Sequence, residues 1–218
     1  PSNSSKVQML HLKIDEKSYG RKSIFSQLTL DLQVPGVYGL VGKNGVGKTT
    51  LLECIAGQTS FKGGMHWNQQ ILDKSEVAWC PTHPFVYEYL NSTEFSRFFA
   101  QLMKIEQIKS KVVFDVPERP LIKEFSTGMK KKAYLNALLQ KEYTLYLFDE
   151  VFNGLDMESV FALQKLILSL GKTKIVMVSS HIIDSLFKIC DAIFWLNDGR
   201  IERFERNEYR NLELKLLG

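Results

Sequence analysis

The chain has 218 residues, of which 44% are apolar and 24% charged, with a net charge of +4; that is enough to bury the core of one α/β domain, with or without a subdomain. So small a positive excess, with Lys130-Lys131-Lys132 as its only basic triplet, gives no ground for expecting a nucleic-acid partner. Three widely spaced cysteines, Cys54, Cys80 and Cys190, argue against a disulfide framework or a Cys-pair zinc site and suit a reducing compartment, and no apolar run reaches the length of a membrane span or follows a signal-peptide order.

From Lys6 to Ile14 apolar residues fall at Val7, Met9, Leu12 and Ile14, a loose alternation that predicts a half-buried strand. Leu28 to Val34 alternates cleanly and predicts a second strand, closed by Pro35-Gly36. Between them, on a connecting loop, sits Tyr19-Gly20; an aromatic there is either ordinary packing or a platform for a purine base. Next comes the apolar run Val37-Tyr38-Gly39-Leu40-Val41, then Gly42-Lys43-Asn44-Gly45-Val46-Gly47-Lys48-Thr49, then Thr50 to Ala56 with helix-forming composition. Strand, loop and helix in that order are the context of a phosphate loop. Gly42, Gly45 and Gly47 let successive backbone N–H groups turn inward around phosphate oxygens, helped by the positive end of the helix. Lys48 then reaches the outer phosphates, and the Thr49 hydroxyl is placed to ligate Mg²⁺.

Gly57 terminates that helix, Met65 to Asn68 reads as a short β segment after Gly63-Gly64, and Val77 to Cys80 as a strand ended by Pro81. Residues 85–123 change character. Asn91 followed by Glu94 marks a helix start, and Phe95, Phe98, Phe99, Leu102 and Met103 recur at helical spacing, as core or as a partner-facing surface. Pro117 and Pro120 break the next stretch, so residues 85–123 are read as a small helical subdomain inserted between the two halves, 6–84 and 124–206, of an α/β core. Ser126 is a natural N-cap for a helix running on from Met129. Leu145 to Phe148 is a buried strand ending in Asp149-Glu150, two carboxylates where α/β sheets place their ligands. Val160, Leu163, Leu166, Ile167 and Leu170 mark a further amphipathic helix, and Lys174 to Ser179 another buried strand with His181 just past its end. Ala192 to Leu196 and Arg200 to Phe204 form a hairpin about Asn197-Asp198-Gly199, and a short helix is expected in 207–218.

In this order the pieces resemble the nucleotide-binding domain of an ABC-type ATPase, over nearly the whole chain from Lys6 to Phe204. The resemblance implies an α/β fold: a P-loop NTPase (RecA-like) core with an N-terminal antiparallel β subdomain and the inserted helical one. Tyr19 matches the family's adenine-stacking aromatic and Gly42 to Thr49 its Walker A loop, with Asn44 and Thr50 among the nucleotide-binding positions. Leu145 to Glu150 matches the Walker B strand with its catalytic acid, Asn153-Gly154-Leu155-Asp156 resembles the D-loop, His181 the switch histidine, and Phe125 to Met129 the signature sequence. There are three departures. Thr127 and Met129 replace signature residues while Ser126 and Gly128 remain; Thr82 or His83 stands where the Q-loop glutamine is usual; Val151 replaces a proline.

The family implies that two such domains pack head to tail, with ATP between the phosphate loop of one and Ser126 to Gly128 of the other, near Asp156. Lys48, Glu150 and His181 are then the catalytic set, Glu150 polarising the attacking water, while Thr49, Asp149 and Thr82 face Mg²⁺. A domain of this kind is similar to the ATP-hydrolysing subunit of a transporter, lying in the cytoplasm against the inner face of the cell membrane. Its partner is a membrane permease encoded separately, docked on Phe85 to Met103, and the Ser-Thr-Gly-Met signature points to export. The alternative is a non-transport ABC ATPase acting on ribosomes or DNA, though such proteins usually carry fused domains or long coiled-coil insertions. A GTPase is disfavoured because no Asn-Lys-X-Asp tetrad occurs.

Overall fold

The computed structural model describes residues 10–33, 35–105 and 112–217. Strands β1 (Leu10–Tyr19) and β2 (Lys22–Leu32) form an antiparallel hairpin about Gly20-Arg21. Strand β4 (Lys62–Trp67) pairs with the other side of β1, giving a three-stranded sheet of order β2-β1-β4. Leu10, Leu12 and Ile14 alternate inward opposite Leu28, Leu30 and Leu32, all buried, as a two-residue period requires. Both strands of the hairpin run longer than their hydrophobic pattern suggests. Tyr19 is therefore the last residue of β1 rather than part of a connecting loop, and β2 begins six residues before Leu28. The reason is local: Ser23, Ser26 and Gln27 hide the alternation, and the ladder shifts register between Lys17 and Ser18. Val7, Met9 and Val34, counted into the expected strands, lie outside the described residues.

A six-stranded sheet forms the centre. It contains β3 (Gly36–Val41), β5 (Val77–Cys80), β6 (Leu145–Phe148), β7 (Ile175–Ser179), β8 (Ala192–Asn197) and β9 (Arg200–Glu205), in the order β5-β6-β7-β3-β8-β9. All neighbours pair in parallel except β9, which returns antiparallel on β8. Every residue of β3, β6 and β7 is buried, which is why these strands read as continuous apolar runs: both sheet faces are covered. Leu145, Leu147, Ile175, Met177, Tyr38 and Leu40 face helix α1 (Lys48–Ile55) and the small sheet. The alternate residues Tyr146, Phe148, Val176, Val178, Val37 and Val41 face α4 (Met157–Gly171) and α5 (Ile183–Ile189). A third cluster, with Val86, Phe95, Ile122, Phe125, Ala133 and Ala137, joins α2 (Ser92–Leu102) to α3 (Thr127–Leu138). The expected Asn91–Glu94 capping box starts α2, Ser126 caps α3, and a terminal helix α6 runs from Tyr209 to Leu217.

The parallel arrangement brings the carboxyl ends of β3, β5, β6 and β7 to one rim. Gly42, Thr82, Asp149 and His181 each follow one of these strands within two residues. Residues more than a hundred positions apart therefore meet where the chain leaves the sheet.

Candidate active site

The loop from Gly42 to Gly47 connects β3 to α1 and carries positive φ at Gly42, Gly45 and Gly47. At Gly47 a Cβ would lie 2.9 Å from the Phe25 ring, so the loop closes against β2 only because that position is glycine. Lys48 is buried at the helix start, and its Nζ donates to the carbonyls of Gly42 (2.8 Å) and Lys43 (3.3 Å). Burial pulls its pKa below the ordinary lysine value, while the charges of Glu150 and Asp149 oppose that shift.

Asp149 is fully buried and sits in a cage of hydroxyls. Thr49 Oγ1 (2.8 Å) and Thr82 Oγ1 (2.7 Å) both donate to its Oδ2, and Ser179 Oγ donates to its Oδ1 (2.6 Å). The same Ser179 Oγ accepts from the Glu150 N–H at 2.9 Å, tying both acids to the end of β7. Glu150, 5% exposed, has φ of +47°, a left-handed conformation that is costly for a residue with a side chain. Its carboxylate accepts from the His181 N–H (3.1 Å) and from Asn153 Nδ2 (3.4 Å), and the His181 ring Nε2 stands 3.2 Å from Oε1. The two acids differ in surroundings: Asp149 is saturated by donors, whereas Glu150 is held beside a partly exposed imidazole.

These groups border a cleft of about 430 Å³, the size class of a small-molecule site. Tyr19, Asn44, Gly45, Gly47, Lys48, Thr49, Thr50, Thr82, Glu150 and His181 line it, as do Lys22, Ile24 and Asn153. Tyr19 is 48% exposed at the rim; Lys17 Nζ lies 4.3 Å from the ring centroid, and the Tyr19 hydroxyl donates to Glu53 (3.4 Å). Thr82, not His83, is the residue that enters the cleft in the place expected of a Q-loop glutamine. A second cavity of about 410 Å³ between α2 and α3 contains none of these groups.

Of the expected site residues, Gly42 and Asp149 are not on the cleft's lining, although Gly42 accepts from Lys48 and Asp149 from Thr49, and Ser126, Gly128 and Asp156 stand apart from it. Ser126 is exposed at the start of α3 and accepts from the Met129 N–H at 3.2 Å. Gly128 packs so closely on the 150–156 segment that a Cβ there would fall 2.1 Å from the Gly154 carbonyl oxygen. Asp156 caps α4 through the Ser159 N–H (2.8 Å) and pairs with Lys132 (2.5 Å), whose hydrogen bond holds its carboxyl below the usual carboxylate range. Pattern reading missed Ser179, which looked like one more residue of a buried strand. It also missed Lys131, which sat inside a basic triplet; its placement four and seven residues before Leu135 and Leu138 is the signal that puts it on the buried face.

The sequence profile described as ABC transporter matches residues 25–153, more than half of the chain, from within β2 to the turn after β6. The chain belongs to the ABC transporter family. A lantibiotic transport ATP-binding protein of Streptococcus pyogenes, SrtF, is 27% identical over 206 residues, covering 88% of this chain and 89% of that protein. The Bacillus subtilis ABC transporter ATP-binding protein YthP is 27% identical over 207 residues, covering 89% and 86%. Among solved structures, an ATP-binding subunit of an ABC transporter superposes with a TM-score of 0.83 at 23% identity, over 94% of this chain and 93% of the other. A bacterial Atm1-family ABC exporter with ATP bound gives 0.74 at 15% identity, over 100% and 44%. This ABC chain is thus an ATP-binding subunit with the P-loop α/β fold, and an ATP hydrolase by family. Among the described residues no helix is long and apolar enough to cross a membrane.

Proposed function

We propose that this ABC ATPase powers export through a separately encoded membrane permease, working as a head-to-tail dimer at the inner face of the membrane. The observation that carries the reading is the separation of two half-sites on one chain. Lys48, Thr49, Asp149, Glu150 and His181 gather at the cleft, while Ser126 and Gly128 stand outside it. In the dimer, ATP lies between the cleft of one protomer and the α3 N-terminus of the other. There the serine hydroxyl, a glycine N–H and a helix start converge on the γ-phosphate. The domain division 6–84 with 124–206 and 85–123 suits this use, the inserted part carrying α3's neighbours toward the partner.

Within each cleft Tyr19 stacks on adenine, and Gly42, Asn44, Gly45, Gly47 and Thr50 cradle the phosphates. Lys48 neutralises charge on the outer phosphates, Glu150 takes up a proton from the attacking water, and His181 positions that water. The hydroxyls of Thr49 and Thr82 and the Asp149 carboxylate are hard oxygen donors gathered on one point, with Thr49 and Thr82 both on Oδ2; this donor set fits Mg²⁺. Bound there, the ion supplies charge neutralisation for the transferred phosphate. Exposed Phe85, Tyr87 and Tyr89, with Phe85 and Tyr87 edge to face at 5.3 Å, offer the permease an aromatic surface. The likeness to a lantibiotic transport ATP-binding protein supports transport as the role.

Detergent-solubilised membranes from cells expressing tagged chain test the proposal. A polytopic permease should co-purify, and lose contact when Phe85 and Tyr89 are changed to Ala together while ATP hydrolysis persists. Co-sedimentation with ribosomes instead of a permease would overturn it.

A further inference from the structure

We infer that Lys131 is a positioning residue for hydrolysis, fastening helix α3, capped by Ser126, to the turn that carries Glu150. The inference rests on the reading of Glu150 as the group that receives a proton from water.

Lys131 is 1% exposed, although both neighbours in its basic triplet turn outward, Lys130 to Glu88 and Lys132 to Asp156. Its Nζ donates to two main-chain carbonyls, Glu150 O at 3.0 Å and Asn153 O at 2.9 Å. Burying an ammonium against carbonyls is expensive, since nothing there repays its lost hydration in full. Burial accordingly depresses its pKa, against the opposing influence of Cys80, Glu150 and Asp149. A group kept there at such cost is joining something that must not move.

What it joins is the left-handed turn at Glu150. The Glu150 amide is held by Ser179 Oγ, and its carbonyl accepts from both the Asn153 N–H (3.1 Å) and Lys131. Pinning both peptide groups sets the direction of the Glu150 side chain toward His181. Of the side chains that hold this turn, Ser179 belongs to the sheet and Lys131 to α3. Three contacts bind α3 to the 150–156 segment: Lys131 on the turn, Gly128 against Gly154, and Lys132 on Asp156. Of the three, only Lys131 bonds the Glu150 carbonyl itself, so it is the most direct of the links from α3 to the catalytic turn.

The decisive test is a kinetic cycle on the full chain with ATP and Mg²⁺. Lys131→Met keeps the length of the stem and removes the donors; kcat should fall about 10- to 100-fold, the effect of an ångström-scale misplacement. KM and equilibrium ATP binding should stay within about threefold, because Lys131 makes no contact with the phosphate loop. Lys131→Gln, which keeps N–H donors without the charge, should recover most of the loss. In a Glu150→Gln background, Lys131→Met should add no further slowing. Multiplicative losses in the double variant, or ATP affinity falling in step with kcat, would overturn the inference in favour of a general packing role. If Lys131→Met does not fold, Lys131→Leu, which also removes the donors to the Glu150 and Asn153 carbonyls, carries the same cycle. Wild-type turnover in Glu150→Gln alone would remove the reading of Glu150; slow turnover there with normal turnover in Lys131→Met would remove only the role of Lys131.

Discussion

Ser179→Ala isolates the hydroxyl on which both acids depend. Ser179 is fully buried, donates to Asp149 Oδ1 at 2.6 Å and accepts from the Glu150 N–H at 2.9 Å. Its removal takes away a hydrogen bond to a charged group and orphans a buried N–H, each an effect of about 1–3 kcal/mol that overlaps with the other, so the expected loss is roughly 2–4 kcal/mol. For a chain of this length each kcal/mol moves Tm by about 2–4 °C, which places the variant roughly 5–15 °C below wild type. Asp149 retains Thr49 and Thr82 on Oδ2 but loses the contact that fixes its plane. The Mg²⁺ concentration for half-maximal hydrolysis should therefore rise. Thr82→Ala is the control: its hydroxyl is partly exposed, water can replace it, and the loss should stay below about 1 kcal/mol. Differential scanning calorimetry and a Mg²⁺ titration read the two effects. A Ser179→Ala melting temperature within about 1 °C of wild type would refute the caging of Asp149 and Glu150 by this hydroxyl.

Gly128→Ala drives a methyl group to 2.1 Å from the Gly154 oxygen, so α3 and the 150–156 segment must separate; thermal melting should show a loss of about 1–3 kcal/mol, and an unchanged midpoint would contradict the close approach. Lys48→Ala should abolish measurable ATP binding in calorimetry without lowering Tm, because the ammonium it removes is desolvated; retained affinity would exclude Lys48 from the phosphate cradle. Thr82→Gln should change how the permease stimulates hydrolysis more than it changes basal hydrolysis, and equal effects on both would disconnect Thr82 from the partner.

The central strands were readable because burial on two faces leaves only apolar residues in β3, β6 and β7, and the phosphate loop because its glycines meet a backbone requirement that few sequences satisfy. Asp149 and Glu150 were conspicuous for the same reason, as charges at the end of such a run. The extents of β1 and β2 were not readable, since one face is exposed and polar residues break the alternation. Helix α5, seven residues long, is too short to show a period. Ser179 and Lys131 escaped because their importance lies in what they touch: a serine closing a strand and a lysine among lysines look ordinary until the fold brings them against the 149–153 turn.

Subunit mixing tests the head-to-tail site most directly. Lys48→Ala and Ser126→Arg chains, each purified alone, should hydrolyse almost no ATP, because every dimer then lacks one half of both sites. Mixed in equal amounts and allowed to exchange, half of the dimers carry one intact site, and turnover should return to about a quarter of wild type. Failure of the mixture to recover, or a Ser126→Arg chain that is active on its own, would contradict a site shared between two copies.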